Sequence, residues 1–291
     1  MKKEFFSGLP ALLFLIVLSF ACSKSITTDP IIPPQLKGGD SIRLIRPLRT
    51  IKKIPYPFVR VTGCPYAPDY GDTLIYPQPT NGQDYIVSPV NNPGVGKYFS
   101  WPEGMVIDST TGAINVTQSE TGEKFDIGFV KNGTMDTCLT RLTLAGASYM
   151  DGVYVLGNNE TKAFPYFNAN PFLTTATQGS LFDITKSAYN QKISVNNNTG
   201  IIDLKNTLKA FGASPVNGQT VETSMYYTLN DGSNKALQQI RVQFMYYRQK
   251  SQINSGLLNT ILLKRNNILA GDLIIKSGNP RPPLIIITRF N

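Results

Sequence analysis

Two stretches of the sequence repeat one pattern: Met105-Val-Ile-Asp-Ser-Thr-Thr-Gly-Ala-Ile-Asn-Val116 and Ile193-Ser-Val-Asn-Asn-Asn-Thr-Gly-Ile-Ile-Asp-Leu204. In each copy an apolar residue precedes Asp or Asn, Thr-Gly follows, and apolar positions then alternate. Asp and Asn side chains bond backbone N–H groups ahead of them, and glycine readily adopts a positive φ. Each copy therefore predicts a β-hairpin. The turn residues are Asp108, Thr111 and Gly112 in the first copy and Asn196, Thr199 and Gly200 in the second.

The segments that follow the two hairpins also correspond. Residues 125–129 and 137–144 alternate in polarity around a turn, and residues 225–229 and 237–247 do the same. Both units thus predict a strand, a Thr-Gly turn, two further strands, a second turn and a last strand. With 14 Tyr, 15 Phe, 24 Gly and 20 Pro along the chain, this pattern is typical of an all-β fold made of β-sandwiches.

The first copy and the five residues that lead into it, Trp101-Pro-Glu-Gly-Met105, resemble the signature of bacterial Ig-like and cadherin-like domains. The resemblance covers residues ~85–156 and, more weakly, residues ~180–247. It implies two tandem Ig-like/cadherin-like β-sandwiches, which we expect at residues 51–165 and 166–250. We expect a C-terminal β extension at residues 251–291, with strands near 256–263 and 284–288. This extension is either a third β-unit or completes the second sandwich.

The N-terminus is typical of an exported protein. Lys2 and Lys3 precede an apolar run at residues 11–18, and small residues lead to Cys22. The stretch Ser19-Phe-Ala-Cys22 resembles the lipobox of Bacteroidetes lipoproteins. We therefore expect a signal peptide at residues 1–21, a Cys22 that carries acyl chains such as palmitate, and a flexible tether at residues 22–50. The implied location is the outer membrane, on its periplasmic or cell-surface face.

The sequence contains no histidine, which excludes Ser-His-Asp triads and histidine-containing zinc sites. Most carboxylates lie in predicted turns, where they have structural roles. We therefore predict that the protein is not an enzyme and holds no cofactor or metal. The net charge is +9, but the basic residues are scattered, and an envelope location disfavours a nucleic-acid partner.

Two groups of residues are candidates for further roles. Cys64 and Cys138 form either a disulfide or two buried thiols. A disulfide is compatible with export, because cysteine pairs become oxidised outside the cytoplasm. The aromatic residues Tyr66, Tyr70 and Trp101 are candidates for ligand contact. The leading hypothesis is a lipid-anchored envelope protein whose sandwiches serve adhesion or protein contacts. The alternative is a carbohydrate-binding accessory lipoprotein of a glycan-uptake system, so the expected partners are the membrane, envelope proteins or glycans.

Overall fold

The computed structural model describes residues 64–102, 104–134, 136–269 and 282–291, which belong to one compact unit. Strands dominate and helices are few, which confirms the predicted all-β class. The predicted signal peptide, Cys22 and the tether at 22–50 lie outside the described residues. Among the helices that are described, none is both long and apolar enough to cross a membrane.

The described chain contains sixteen strands and three α-helices. The strands are β1 (Leu74–Ile75), β2 (Ile86–Val87), β3 (Gly96–Trp101), β4 (Val106–Ile107), β5 (Ile114–Asn115), β6 (Glu123–Lys131), β7 (Thr137–Leu144), β8 (Ala147–Tyr149), β9 (Gly152–Val155), β10 (Lys162–Ala163), β11 (Pro165–Phe167), β12 (Ser194–Val195), β13 (Ile202–Asp203), β14 (Gln219–Tyr227), β15 (Gln238–Gln249) and β16 (Leu284–Phe290). The helices are α1 (Ser187–Asn190), α2 (Leu204–Thr207) and α3 (Ser255–Leu269). Short 3-10 turns occupy Leu156–Asn158, Leu208–Phe211 and Lys250–Gln252.

The first module comprises β1 to β7. One sheet has the order β1-β7-β6-β3, and a smaller sheet has the order β2-β5-β4. Alternate residues of the long strands point to one core, as the sequence pattern predicts: Phe125 and Ile127 from β6 meet Leu142 and Leu144 from β7. Ile114 of the smaller sheet is fully buried in the same cluster, so the two sheets share one core.

The second module comprises β8 to β16 and the three helices. Its large sheet has the order β14-β15-β16-β9, and its small sheet has the order β10-β13-β12. In β15, whose sequence alternates in polarity, the apolar residues Ile240, Val242 and Phe244 lie in the core. Met245 and Tyr247, on the opposite face of β15, pack in a separate cluster with helix α3.

The two small sheets have matching pairings. Val87 pairs with Ile114 in the first module, and Ala163 pairs with Ile202 in the second. Just beyond each pair, a backbone N–H returns to the strand before the hairpin: Val116 donates to Tyr85, and Leu204 donates to Thr161. The two copies of the sequence repeat therefore share their backbone hydrogen bonds with the neighbouring strand as well as their turn.

The predicted strand near residues 256–263 is wrong, because this segment lies in helix α3. Leu257, Leu258 and Ile261 have helical spacing and contact the sheet on one face. Leucine also favours helix over strand. The helix begins after Asn254, whose side-chain oxygen accepts from the N–H of Gly256 at 2.9 Å.

The predicted strand at residues 284–288 is confirmed, and it completes the second sandwich rather than forming a third unit. β16 runs parallel to β15 on one side and to β9 on the other. Ile285 and Ile287 face the main core, whereas Leu284 and Ile286 face α3. Burial on both faces explains why this strand is a continuous apolar run instead of an alternating one.

The expected division at 165/166 also needs correction. Strand β9, assigned by sequence to the first sandwich, pairs with β16 in the second. The core cluster of the first module ends at Leu144, and that of the second begins at Ala147. The expectation failed because strand pairing between β9 and the C-terminus leaves no local signal in the sequence.

Candidate functional site between the two modules

The two Thr-Gly turns have the same geometry. The Asp108 carboxylate accepts from the N–H groups of Thr110 and Thr111, each at 2.8 Å. The Asn196 side-chain oxygen accepts from Asn198 and Thr199, each at 3.0 Å. Gly112 and Gly200 have φ of 74° and 72°, which other residues rarely adopt. The backbone hydrogen bonds to Asp108 lower its pKa. The side chains of Asp108 and Asn196 therefore have a structural role, because they bond the backbone of their own turns.

A buried tyrosine completes each turn. The Tyr70 hydroxyl donates to the Gly112 carbonyl at 2.7 Å, and the Tyr149 hydroxyl donates to the Gly200 carbonyl at 2.5 Å. Burial raises the pKa of both phenols. Tyr70 is only 6% exposed, which corrects the expectation that it contacts a ligand. Its role is to hold the first turn.

The other two aromatic candidates lie in separate environments. Tyr66 is half-buried, and the Lys131 ammonium lies 4.0 Å from its ring centre, so a cation already occupies one ring face. Trp101 ends β3, is half-buried and precedes a cis peptide bond to Pro102. Thus none of the three candidates presents a fully exposed ring for stacking against a ligand.

Cys64 and Cys138 form a disulfide, with their Cα atoms 5.5 Å apart. Cys138 is buried in β7, so the bridge ties Cys64 to the large sheet of the first module. A bridge that closes so long a loop stabilises the fold by about 4 kcal/mol in the chain-entropy picture.

The modules meet at the hydroxyl of Tyr227, at the end of β14. This hydroxyl lies 2.9 Å from the Thr121 hydroxyl of the first module and donates to the Gln238 side-chain oxygen, also at 2.9 Å. It accepts from the N–H of Ala147 at 2.9 Å. Burial raises the pKa of Tyr227 to about 12. Gly146 permits this close approach, because a Cβ there would lie 2.6 Å from the Gln238 oxygen.

A second bridge joins the modules at the loop before β2. The Gln78 amide donates to the carbonyl of Gly232 at 2.8 Å and accepts from the Asn234 side chain at 2.8 Å. The ring of Tyr76 lies directly over Gly232, where a Cβ would be only 2.9 Å from it. Hydrogen bonds and packing thus hold the two modules together on both sides of the space between them.

A cavity of about 200 Å³ lies in that space. Its walls come from residues 77–80, 82–84, 116, 117, 119 and 121 of the first module and from residues 184, 226, 228 and 235–239 of the second. The lining combines prolines and Tyr226 with several amide and hydroxyl groups. Gln238 is 4% exposed, and its side-chain nitrogen, Nε2, donates to no acceptor among the described residues. This mixture of an apolar surface and a few polar groups is typical of small-molecule sites.

A cluster of charged groups lies beside the module contact. Burial, and then the negative charge of Glu123, raise the pKa of Glu120 to about 7. Burial also raises the pKa of Glu123, whose oxygen accepts from the hydroxyls of Ser148 and Tyr166. Arg241 lies 3.7 Å from the Glu120 carboxylate. Because the glutamates precede or begin β6 and their partners lie in the second module, the cluster also joins the modules.

Asp151 connects the C-terminal segment to this cluster. It is fully buried, accepts from the N–H of Leu284 at 3.0 Å and lies 3.0 Å from the Lys264 ammonium. The described residues include no group of three or more Asp, Glu, Cys or His side chains arranged to hold a metal ion. Asp151 links β16, through the Leu284 N–H, to α3, through the Lys264 ammonium.

The sequence gives little sign of the residues that line the cavity. Gln83, Gln238 and Gln239 have no motif around them, and Tyr226 lies in an alternating strand pattern. The cavity forms because segments more than 100 residues apart come together, and no local pattern encodes such a meeting. The excess of polar residues at the start of β15, Gln238-Gln239, is the one local signal present.

Comparisons with known proteins are limited to weak structural likenesses. No protein-family model and no curated protein matches the sequence. Drosophila N-cadherin EC1-4 is 11% identical, with 62% of this chain and 49% of that chain covered and a TM-score of 0.21. PcdhgB3 EC1-4 is 8% identical, with coverage of 62% and 50% and a TM-score of 0.18.

A third solved structure is a SusE-like surface located polysaccharide binding protein from the Bacteroides thetaiotaomicron heparin utilisation locus. It is 15% identical, with 56% of this chain and 31% of that chain covered and a TM-score of 0.23. The chain thus spans half or less of the length of these structures. At such TM-scores the likenesses carry no argument about function.

Proposed function

We propose that this chain is a lipid-anchored envelope protein, without catalytic activity, whose two β-sandwich modules act as one rigid binding unit. The observation that carries the proposal is the double bridge between the modules, at Tyr227 and at Gln78, around a shared cavity. Two independent sandwiches on a flexible linker would need no such bridges, because each has its own core.

The lipid anchor is the part of the proposal that rests on sequence. Replacement of Cys22 by Ala in the full chain should abolish incorporation of a palmitate analogue and move the protein out of the membrane fraction. Cys138 offers no matched control, because it lies in the disulfide, so the wild-type chain serves as the reference. Retention of the label in Cys22→Ala would contradict the anchor.

The rigid unit is tested by pull-down from envelope extracts and by protein and glycan arrays with the mature chain. Gly146→Ala would push the linker against Gln238 and Thr121 and should weaken binding about tenfold. Gly133→Ala is the matched control, because Gly133 also has a positive φ but its added Cβ would meet no described atom within 4 Å. Equal binding by both variants would show that the module contact plays no part.

A second candidate function is carbohydrate binding in a glycan-uptake system. The cavity favours it, since its polar groups are mostly amides and hydroxyls, which recognise sugar hydroxyls by hydrogen bonds. The glycan array separates the two candidates: a saccharide that binds without any protein partner supports the second.

A further inference from the structure

We propose that the cavity between the modules binds one ring of a neutral saccharide, and that Gln238 Nε2 donates a hydrogen bond to a hydroxyl oxygen of that ring. The inference rests on the carbohydrate-binding candidate above and gives it a site and a ligand class. It is carried by the side chain of Gln238, which is buried in the cavity wall and whose Nε2 has no acceptor among the described residues.

The state of Gln238 follows from its hydrogen bonds. Its oxygen accepts from the Tyr227 hydroxyl at 2.9 Å, and that hydroxyl also accepts from the Ala147 N–H. The amide nitrogen of Gln238 is a donor, and it meets no acceptor among the described residues. A buried donor without an acceptor is unfavourable, and native proteins nearly always pair such groups. An acceptor that enters the cavity removes this cost.

The remaining polar groups of the lining are also available. Gln83 lies at the exposed rim and Gln239 is half-buried, and neither side chain has a hydrogen bond within the described part of the chain. Each amide offers both donors and an acceptor, as a sugar hydroxyl requires. Pro77, Pro79 and Tyr226 supply apolar surface for the C–H groups of a ring.

The charge of the lining favours a neutral ligand. Among the described residues of the lining, Asp84 is the only acidic one, and its Oδ2 accepts from the side chains of Asn115 and Gln118. Lys235 is the only basic one among them, and it is exposed. One acid and one base nearly cancel, so the cavity has no surplus charge with which to select an anionic or a cationic ligand.

The size of the cavity limits the ligand further. Pockets for drug-sized ligands measure roughly 300–1,000 Å³. A volume of about 200 Å³ is smaller and suits a single ring, and a second cavity of about 430 Å³, which shares Pro79, Thr80, Gln83 and Asp84 with it, leaves room for further rings of a longer saccharide. Direct binding should accordingly be weak for one ring and should gain from contacts made outside the cavity.

The experiment is calorimetric titration of the mature chain with a panel of neutral methyl glycosides, and with sulfated and carboxylated sugars for comparison. Gln238→Glu keeps an acceptor for Tyr227 but removes the donor, and should weaken binding about tenfold. Gln83→Ala and Gln239→Ala should each weaken it several-fold. The matched control is Gln243→Ala, on the same strand β15 but outside the lining, which should bind as wild type does.

Each outcome decides the proposal. Thermal unfolding of every variant comes first, and if Gln238→Glu does not fold, the Gln83 and Gln239 variants decide, because their side chains are at least partly exposed. A neutral sugar that binds all variants equally overturns the site but leaves the carbohydrate-binding function intact. Failure of every sugar at millimolar concentration overturns both. Preference for sulfated or carboxylated sugars overturns the neutral class alone.

Discussion

The two modules share a turn but not a way of closing the sheet. In the first module β1 pairs directly with β7, and a disulfide from Cys64 to Cys138 reinforces the same sheet. In the second, β16 from the C-terminus lies between β9 and β15, and no disulfide is found among its described residues. The Thr-Gly turns and their tyrosines match in detail. The repeat therefore fixes the hairpin, whereas the strands added to the large sheet differ between the modules.

The sizes of the two cores explain why one module has a disulfide and the other an additional buried strand. Among the described residues, the first module buries nine side chains in its main cluster and the second buries nineteen. A small core supplies less hydrophobic free energy, and small exported domains often compensate with a disulfide. The second module instead gains the apolar strand β16 and the helix α3 that covers it. The first module therefore depends on its cross-link, and the second on its last strand.

The largest expected effect is loss of the last strand's core contacts. Ile285→Ala and Ile287→Ala should each cost about 2–5 kcal/mol of unfolding free energy, because both side chains are fully buried. Hydrogen exchange should show loss of protection in β9 and β15 before β6 and β7. Phe290→Ala, at an exposed position of the same strand, should change stability by less than about 0.5 kcal/mol. An equal loss of hydrogen-exchange protection in both modules would show that the first module depends on the last strand as much as the second does.

The second effect concerns the cross-link. Replacement of Cys64 and Cys138 together by Ser should lower the free energy of unfolding by about 4 kcal/mol, chiefly through the greater freedom of the unfolded chain. Chemical denaturation measures this loss, and hydrogen exchange should place it in β6 and β7. Reduction of the wild-type protein is the control and should give the same loss. A reduced protein as stable as the oxidised one would refute the dependence of the first module on its disulfide.

The third effect tests the equality of the two turns. Tyr70→Phe and Tyr149→Phe each leave a buried glycine carbonyl unpaired, so each should cost about 1–3 kcal/mol. The losses should agree with each other, since the hydrogen bonds correspond. Tyr189→Phe, at a side chain that is 73% exposed, is the control and should be nearly neutral. A large loss in one module alone would break the correspondence.

The smallest effect is a pH dependence at the contact between modules. The pKa of Glu120 is raised from 4.5 to about 7 in the fold, so the folded state binds more protons than the unfolded state between these values. Its contribution to stability is full below about pH 4.5 and is lost as pH rises through about 7. Glu120→Gln should flatten this part of the stability profile, measured by denaturation at pH 5 and pH 8.

Glu222→Gln is the matched control, because Glu222 also faces Arg241 but is more exposed. It should leave the slope between pH 5 and pH 8 unchanged. An unchanged slope in Glu120→Gln would instead assign the pH dependence to another group, such as Glu123, whose pKa is also raised.

The sequence by itself determined the hairpins, the all-β class and the alternating faces of β6, β7 and β15. These features depend on local rules: a side-chain oxygen that starts a turn, a glycine with positive φ, and a period of two in a half-buried strand. The helical spacing after Asn254 is also present in the sequence, but short apolar runs are compatible with both helix and strand, so the sequence alone does not decide between them.

Tertiary structure decided the rest. The insertion of β16 beside β9, the burial of Tyr70 and the cavity around Gln238 depend on segments far apart in the chain. Such contacts form because buried apolar surface and unpaired polar groups find partners wherever the folded backbone brings them together. Sequence spacing does not record those distances, so the sequence predicted the modules, and only their packing created the site between them.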